Sequence, residues 1–479
     1  MCDNVLYKNN FFEVLMKKKI LVLGSGAREH AIASKFSESN KVSEVFVLPG
    51  NDGIGIDFSV SKAKDFEDLL NFIKNNQIDL VFVGNEQYLV EGVVNFLSKK
   101  GIHVIGPTKE SAQIESSKVF SKNLMIEHGI PTAQYQRFEN IDNALEFIKM
   151  IDTTGTNNNF CPKFPIVIKA DGLAAGKGVL IAHNLDEAET FVKGILSGEM
   201  FGTAGNEIVI EEYLYGEEIS VFAFCDGENF VSTIISQDHK KEFDDDLGLN
   251  TGGMGAFAPV SKFNHLKKKI DDIVFEPVLK AMKKTGFPFI GVLYAGLMIS
   301  PSNKNEHNTK DHVADCPIIN VIEFNSRFGD PETQVILPLL ENDLFEVCEA
   351  ILEKKIKNIS LKWKDKYAVA VVMASKGYPR NFEKGHQILI NKSLLKDKKL
   401  KIFYAGVESE KIAGNDFRID GDKKDMEWIN LKNSGGRVLS LVAIDDTLEK
   451  SINYVYKNIT SIKSDNLRYR NDIGVKGLE

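Results

Sequence analysis

A chain of 479 residues is too long for one hydrophobic core and implies about three domains of roughly 100–200 residues each. Its 43% hydrophobic and 26% charged residues are ordinary for a globular protein, and a net charge of −8 argues against nucleic acid as the main partner. The five cysteines are scattered without a C-x-x-C pair, and no apolar run approaches the roughly 20 residues of a membrane span, so a reduced, cytoplasmic protein with no membrane partner is expected.

Residues 1–17 read as a ragged extension, with acids, no arginine and no small-residue cleavage site. Ile20–Leu23 then reads as a buried parallel strand, followed by Gly24-Ser25-Gly26-Ala27-Arg28-Glu29-His30 and a helix. Two of the three glycines of a dinucleotide fingerprint are present, and Glu29 replaces the third. That pattern suits one phosphate held by backbone N–H groups, the helix dipole and Arg28; a tight turn with a solvated Arg28 fits equally well. Apolar runs at 45–48, 80–83 and 104–105 each end in a polar glycine turn, the alternation of an open parallel α/β sheet that binds ligands at the carboxyl ends of its strands.

Residues 111–130 are helical in pattern, contain Lys118 and stop at Pro131. Residues 153–160 form a polar, asparagine-rich loop. From Pro165 an apolar run carrying Lys169 enters a small-residue loop with Gly176, Lys177 and Gly178, and a second apolar run leaves from Val179. The glycine spacing and the absence of a following Ser or Thr exclude a P-loop. A strand–glycine loop–strand bearing two lysines reads as a flap over a polyphosphate, against a surface hairpin with solvated lysines.

A helix follows over 185–197, then a strand at 208–210 running into Glu211-Glu212-Tyr213-Leu214 and on to Glu218. An aromatic linker flanked by acids suits an adenine slot, with Glu218 reaching ribose hydroxyls, although a turn of surface acids has the same composition. Residues 236–240 and 250–256 are polar islands after strands. Residues 301–316, with His307, Asp311, His312, Asp315 and Cys316, read as a solvated insertion rather than a metal site. In the strand Ile318–Asn325, Glu323 and Asn325 are two apart and share a face, an oxygen pair suited to Mg²⁺ beside phosphates. A charged turn, 326–333, follows directly. The region beyond 342 shows strands near 367–373 and 435–439 and a last helix near 448–459, with no catalytic cluster, so its expected task is to cover the site.

The flap resembles that of the ATP-grasp enzymes. Taken together with Gly24–His30, Pro49–Asn51, Glu211–Glu218, Ser236–Lys240, Asn250–Ala256, Glu323–Thr333 and Gly435–Leu439, it resembles the phosphoribosylamine–glycine ligase family from about Lys19 to Gly474. Biotin carboxylase and other ATP-grasp ligases share the flap logic but not Arg327–Thr333. The resemblance implies an ATP-grasp fold of class α/β: an N-terminal open parallel α/β domain (18–120), an ATP-grasp domain (121–345) with a mobile lid subdomain (about 132–207), and a C-terminal α/β domain (346–479). It implies ligation of glycine to 5-phosphoribosylamine with ATP, through a glycyl phosphate, giving glycinamide ribonucleotide, ADP and phosphate in purine biosynthesis, by a monomer or weak homodimer.

By the same resemblance Lys118, Lys169, Gly176, Lys177, Gly178, Val179, Glu211, Glu212, Tyr213, Leu214 and Glu218 take ATP, and Glu323 and Asn325 take Mg²⁺ or Mn²⁺. Gly24, Gly26, Arg28, Glu29, His30, Asn51, Glu86, Asn250, Thr251, Gly252, Gly253 and Asp330 take the other substrates, with Arg327, Asp238 and Lys240 catalytic. Two departures stand out. Gly84-Asn85-Glu86-Gln87-Tyr88 lacks two prolines usual in the family, which is expected to free that loop's backbone, and Leu249 replaces a proline. Another carboxylate–amine ligase, or a non-catalytic nucleotide-binding relative, shares many of these features; a dehydrogenase is disfavoured by the missing glycine.

Overall fold

Ile20–Leu23 is apolar at every position because its strand is covered on both sides. The computed structural model, which describes residues 17–154, 163–172, 178–200, 205–301, 317–409 and 427–478, places it in β1 (Lys18–Gly24). With β2 (Val42–Pro49), β3 (Ser59–Val60), β4 (Leu80–Val83) and β5 (Val104–Ile105) it forms a parallel sheet of order β3-β2-β1-β4-β5. Side chains alternate between two cores: Ile20 and Val22 join the main one, while Leu21 and Leu23 pack with Leu70, Ile73 and Leu97 of helices α2 (Phe66–Asn76) and α4 (Val93–Lys99). On the main-core side lies α1 (Ala27–Ser37). Strand order reverses between β1 and β4, so Gly24 and Gly84, at their carboxyl ends, border a crevice.

The loop expected to be freed by its lost prolines is instead the start of a helix, α3 (Glu86–Glu91). Asn85 caps it, accepting the Gln87 N–H at 2.8 Å, and Gln87 Nε2 donates to Glu91 Oε1 at 2.7 Å. A side-chain cap thus supplies the restraint that the prolines would have given. The helix expected over 111–130 is divided into α5 (Gln113–Ser116) and α6 (Lys118–Glu127). Ser117 is extended and caps α6, and Asp171 accepts both its hydroxyl, at 3.1 Å, and the Val119 N–H, at 2.8 Å.

The described residues between 132 and 212 form a subdomain with its own core. Strands β6 (Tyr135–Phe138), β7 (Ile166–Ala170), β8 (Val179–Ala182) and β9 (Ile208–Glu212) pair antiparallel in the order β6-β9-β7-β8. Helices α7 (Ile141–Thr154) and α8 (Leu185–Leu196) cover one face, on which Ile148, Ile166, Ile168, Val192 and Ile210 are buried together. The flap is therefore a β7–β8 hairpin, as its two apolar runs predict, with residues 173–177 of its loop outside the described residues.

The next sheet, β11-β10-β16-β17, comprises β10 (Glu217–Asp226), β11 (Phe230–Ser232), β16 (Ile290–Ser300) and β17 (Ile318–Asn325). Between them in sequence lie β12 (Gln237–Asp238), the hairpin β13 (Lys241–Phe243) and β14 (Leu247–Asn250), and β15 (Gly255–Ala258). The remaining strands among the described residues are β18 (Tyr367–Ser375), β19 (Gln387–Asn391), β20 (Leu400–Tyr404), β21 (Val407–Glu408), β22 (Trp428–Asn433), β23 (Arg437–Asp445), β24 (Ile462–Lys463) and β25 (Leu467–Arg468). Strands β12 and β15 pair not with their sequence neighbours but into the C-terminal sheet, in the order β12-β15-β18-β23-β20. The C-terminal region thereby holds the segment that carries Asp238 and Lys240. The last long helix, α9 (Leu448–Ile459), packs on β18 and β23. Among the described residues no helix is long and apolar enough to cross a membrane.

Candidate active site

Ile166 and Ile168 of β7 face the subdomain core, so period two turns Lys169 to the opposite face. There its ammonium donates to Glu211 Oε2 at 2.9 Å and to the Ile322 carbonyl at 3.2 Å, joining β7, β9 and β17. Lys118 opens α6 and donates to the Glu115 carbonyl at 3.0 Å. One turn on, Lys122 is buried and stands 3.2 Å from the same Glu211 oxygen. The sequence reading missed Lys122, although its i,i+4 spacing from Lys118 puts both on one helix face.

Gly176 and Lys177 lie outside the described residues. Gly178 accepts the Ala170 N–H at 2.8 Å, and Val179 pairs with Lys169 across the hairpin. The linker from β9 to β10 begins at Glu212, which accepts the Gln134 N–H at 2.9 Å. Tyr213 meets Tyr215 edge-on with ring centres 4.8 Å apart, and Leu214 between them is half-buried.

Beyond the linker, Glu218 of β10 is ion-paired with Lys240, whose ammonium is also 3.9 Å from Glu323 Oε1. Burial acts to raise the Glu323 carboxyl, but Lys240, Lys118, Lys169 and Arg327 overcome it and hold the group at about 2. Glu323 is therefore ionised at neutral pH. Asn325, two residues on, lies on the same face. With its amide nitrogen donating to Glu115 Oε1 and the Phe324 carbonyl, both at 3.2 Å, its oxygen occupies the position 3.4 Å from Glu323 Oε1. Two oxygens facing each other, one of them ionised, fit a hard divalent cation such as Mg²⁺.

Arg327 leaves β17 and turns toward the N-terminal sheet, with Nη2 2.8 Å from Glu115 Oε1 and Nε 3.2 Å from Glu86 Oε2. Glu86 also meets Arg28 Nη2 at 3.3 Å. Burial would raise the Glu86 carboxyl, yet Arg327 and Arg28 bring it down to about 2. Arg28 differs from its expected place at an open helix terminus. It is buried, with Nε 2.6 Å from Glu29 Oε1 and Nη1 donating to the Phe328 carbonyl at 3.1 Å. Glu29 supplies the carboxylate half of a capping-box contact by accepting the Gly26 N–H at 2.7 Å, and any Cβ at Gly24 would overlap its side chain. The glycines here make room for a carboxylate.

His30 is likewise structural in its contacts. It stacks on Tyr404 with centroids 5.5 Å apart, accepts the Tyr404 N–H at 3.1 Å and faces Asp57 at 3.0 Å. Asn51 donates to the Ser25 carbonyl at 2.8 Å and the Tyr404 carbonyl at 3.3 Å, tying the β1 and β2 ends to β20.

Asp238 completes the cleft. Its Oδ1 is buried with no hydrogen-bond partner, and burial together with Glu332 pushes its carboxyl well above the usual range. Asn250 pairs with Lys241 across β13–β14, and Thr251 donates from both N and Oγ1 to the Lys240 carbonyl, at 2.8 and 2.9 Å. Gly252 and Gly253 carbonyls accept Arg437 Nη1 at 2.5 and 3.5 Å, and the same guanidinium reaches the Asp330 carbonyl at 2.7 Å. Asp330 in turn stands close to Gly26. Arg437 is a second residue that the sequence reading left without a role, although it lies within the matched run 435–439.

The residues match a phosphoribosylglycinamide synthetase N domain over 18–115, its ATP-grasp (A) domain over 116–333 and its C domain over 368–476. Among curated proteins, the chain is 42% identical over 97% of its length to the bifunctional purine biosynthetic protein of Dictyostelium discoideum, and spans 55% of that longer protein. It is 40% identical over 95% of its length to the phosphoribosylamine–glycine ligase of Caldanaerobacter subterraneus, spanning 99% of it. The crystal structure of phosphoribosylamine–glycine ligase from Thermotoga maritima superposes with a TM-score of 0.75 at 31% identity, covering 95% of this chain and 99% of that one.

Proposed function

From the premise that the chain belongs to the phosphoribosylglycinamide synthetase family, we propose how its cleft divides the work of the ligase reaction. The chain is an ATP-using ATP-grasp enzyme, a phosphoribosylamine–glycine ligase of purine biosynthesis. One observation carries the assignment of roles. A continuous line of charged side chains runs from Lys169 and Glu211 through Glu323, Lys240 and Arg327 to Asp238, Asp330 and Arg437.

Adenine lies along Glu211–Leu214 and the phosphates run past Lys118, Lys169 and the flap, Gly176–Val179, toward Glu323. Glu218, paired with Lys240, reaches the ribose hydroxyls. Glu323 and Asn325 would hold Mg²⁺ or Mn²⁺, which would supply neutralisation of phosphate charge and polarisation of the γ-phosphoryl group. Glycine supplies the nucleophile: an oxygen of its carboxylate attacks the γ-phosphorus, the bond to the β,γ-bridging oxygen breaks, and ADP leaves. Cys225 and Cys348 are buried with their thiols pushed up, so neither described thiol competes for that step.

The second substrate, 5-phosphoribosylamine, occupies the corner formed by Gly24–His30, Asn51 and Glu86, with Asn250–Gly253 and Asp330 opposite. Its amine nitrogen attacks the carbonyl carbon of glycyl phosphate, and phosphate departs with one oxygen from glycine. Asp238, with one carboxylate oxygen unpartnered and a raised proton affinity, takes the amine proton. Arg327 balances the anionic charge of the transferring groups, and Lys240 holds Glu218 and Glu323 in place. Most of the catalysis on this reading is placement and charge neutralisation. The test is phosphate release from ATP with each substrate alone and with both. Release that requires both, with glycinamide ribonucleotide appearing, supports the reading; release with glycine replaced by alanine at equal rate overturns the substrate assignment.

A further inference from the structure

The four-stranded subdomain is joined to the rest of the chain by two crossings, entered at Thr132–Gln134 and left at Glu211–Gly216. Both converge on one ammonium. Lys122 Nζ, on α6, donates to Thr132 Oγ1 at 2.8 Å and to the Ala133 carbonyl at 3.2 Å on the entering chain. It stands 3.2 Å from Glu211 Oε2 on the leaving chain. An ammonium has three N–H donors, and these three acceptors account for all of them. The ring of Tyr135, the next strand residue inward, lies 5.6 Å from the same nitrogen. The crossing is anchored in turn to β17: the Thr132 hydroxyl donates to the Val321 carbonyl at 2.7 Å, and Val321 N–H donates to the Pro131 carbonyl at 2.8 Å.

We propose that Lys122 is a positioning residue for nucleotide binding, its ammonium buckling the chain that enters the subdomain at Thr132–Ala133 to the chain that leaves it at Glu211. The proposal rests on the reading that ATP lies along Lys169 and the linker after β9. Glu211 Oε2 is shared by Lys122 and Lys169, so the buckle sets both the carboxylate just before the linker and the lysine beside it. Losing it frees Glu211 to follow Lys169 and uncouples the adenine linker from β17.

A charge buried in this way is sensitive to pH. Burial and Lys169 lower the Lys122 ammonium against the pull of Glu211 and Glu212, leaving it at about 8; Tyr135 presents its ring, and its phenol is raised out of this range. The buckle is intact at pH 7 and weakens as the proton is lost above pH 8.

The experiment is titration of the full-length protein with a non-hydrolysable ATP analogue at pH 7 and pH 9, for wild type, Lys122→Met and Lys122→Arg. Amide hydrogen exchange is followed at 132–135 and 211–214. Losing a charge-assisted contact is expected to weaken analogue binding by Lys122→Met about tenfold or more at pH 7. Exchange should quicken at both crossings while the KM for glycine stays unchanged. Wild-type affinity should fall between pH 7 and pH 9, whereas Lys122→Arg, charged throughout, should hold its affinity. Unchanged affinity in folded Lys122→Met overturns the proposal, as does a loss of thermal stability with no change in affinity. If Lys122→Met does not fold, a wild-type affinity equal at both pH values overturns it instead. Wild-type protein that binds no analogue at either pH overturns the underlying nucleotide reading and the proposal with it.

Discussion

Arg437 donates to the main-chain oxygen of Asp330 at 2.7 Å and stands 3.3 Å from that residue's carboxylate. The contact joins the first residue of β23 to the turn after β17, and the same guanidinium takes the Gly252 carbonyl. The C-terminal region therefore does more than cover the cleft: it fixes two of the loops that line it.

Replacing Arg437 by Ala should release both loops while leaving the ATP end intact. Loss of a charge-assisted contact predicts a fall in kcat/KM for phosphoribosylamine of roughly 10–100-fold. The KM for ATP should change little. Steady-state kinetics with each substrate varied in turn separates the two; a rise confined to the ATP KM would contradict the placement of Arg437.

Glu86 balances two buried guanidinium groups, so Glu86→Gln leaves them under-compensated. The variant should be less stable than wild type by roughly 1–3 kcal/mol at pH 7 in urea unfolding. The sign of its pH dependence follows from a folded carboxyl held at about 2, below its unfolded value. Stability from such a group is fully present above the unfolded value and is lost as pH falls through the folded one. The gap between wild type and variant should therefore narrow from about pH 4.5 downward. A gap that widens on acidification would exclude the Glu86 clasp as its source.

Gly253 has φ +107°, and a Cβ there would overlap Pro331 and lie 2.8 Å from Asp238 Oδ1. Gly253→Ala should cost about 1–3 kcal/mol in thermal unfolding, from backbone strain alone. Because the displaced neighbour is the proposed proton acceptor, kcat should fall further than the folded fraction does. Full activity per folded molecule would separate Asp238 from the proton transfer.

Features set by local periodicity were readable in advance. The parallel strands announce themselves as short apolar runs ending in glycine turns, and period two puts Glu323 and Asn325 on one face of β17. Features set by distant partners were not. The break at Ser117 depends on Asp171, and the pairing of β15 with β18 spans more than a hundred residues. Arg28 reads locally as a helix-start cation, yet Glu29 beside it and Glu86 at the start of α3 decide where it points. Lys122 and Arg437 gain their meaning from contacts that no local pattern encodes.

If Glu323 and Asn325 hold the metal as proposed, turnover depends on a divalent cation. Chelation should abolish activity, and added Mg²⁺ or Mn²⁺ should restore it. Glu323→Ala should lower kcat by about a thousandfold, the scale of losing electrostatic stabilisation at a phosphoryl-transfer centre. Recovery of Glu323→Ala by high Mg²⁺ to the wild-type rate would move the metal elsewhere.

The most direct test of the account follows oxygen. Glycine labelled with ¹⁸O in its carboxylate is turned over with ATP and phosphoribosylamine, and the inorganic phosphate is analysed by mass. Attack of glycine's own carboxylate on the γ-phosphorus predicts one ¹⁸O in each phosphate released. Phosphate carrying no label would contradict a glycyl phosphate and require a different route to the amide.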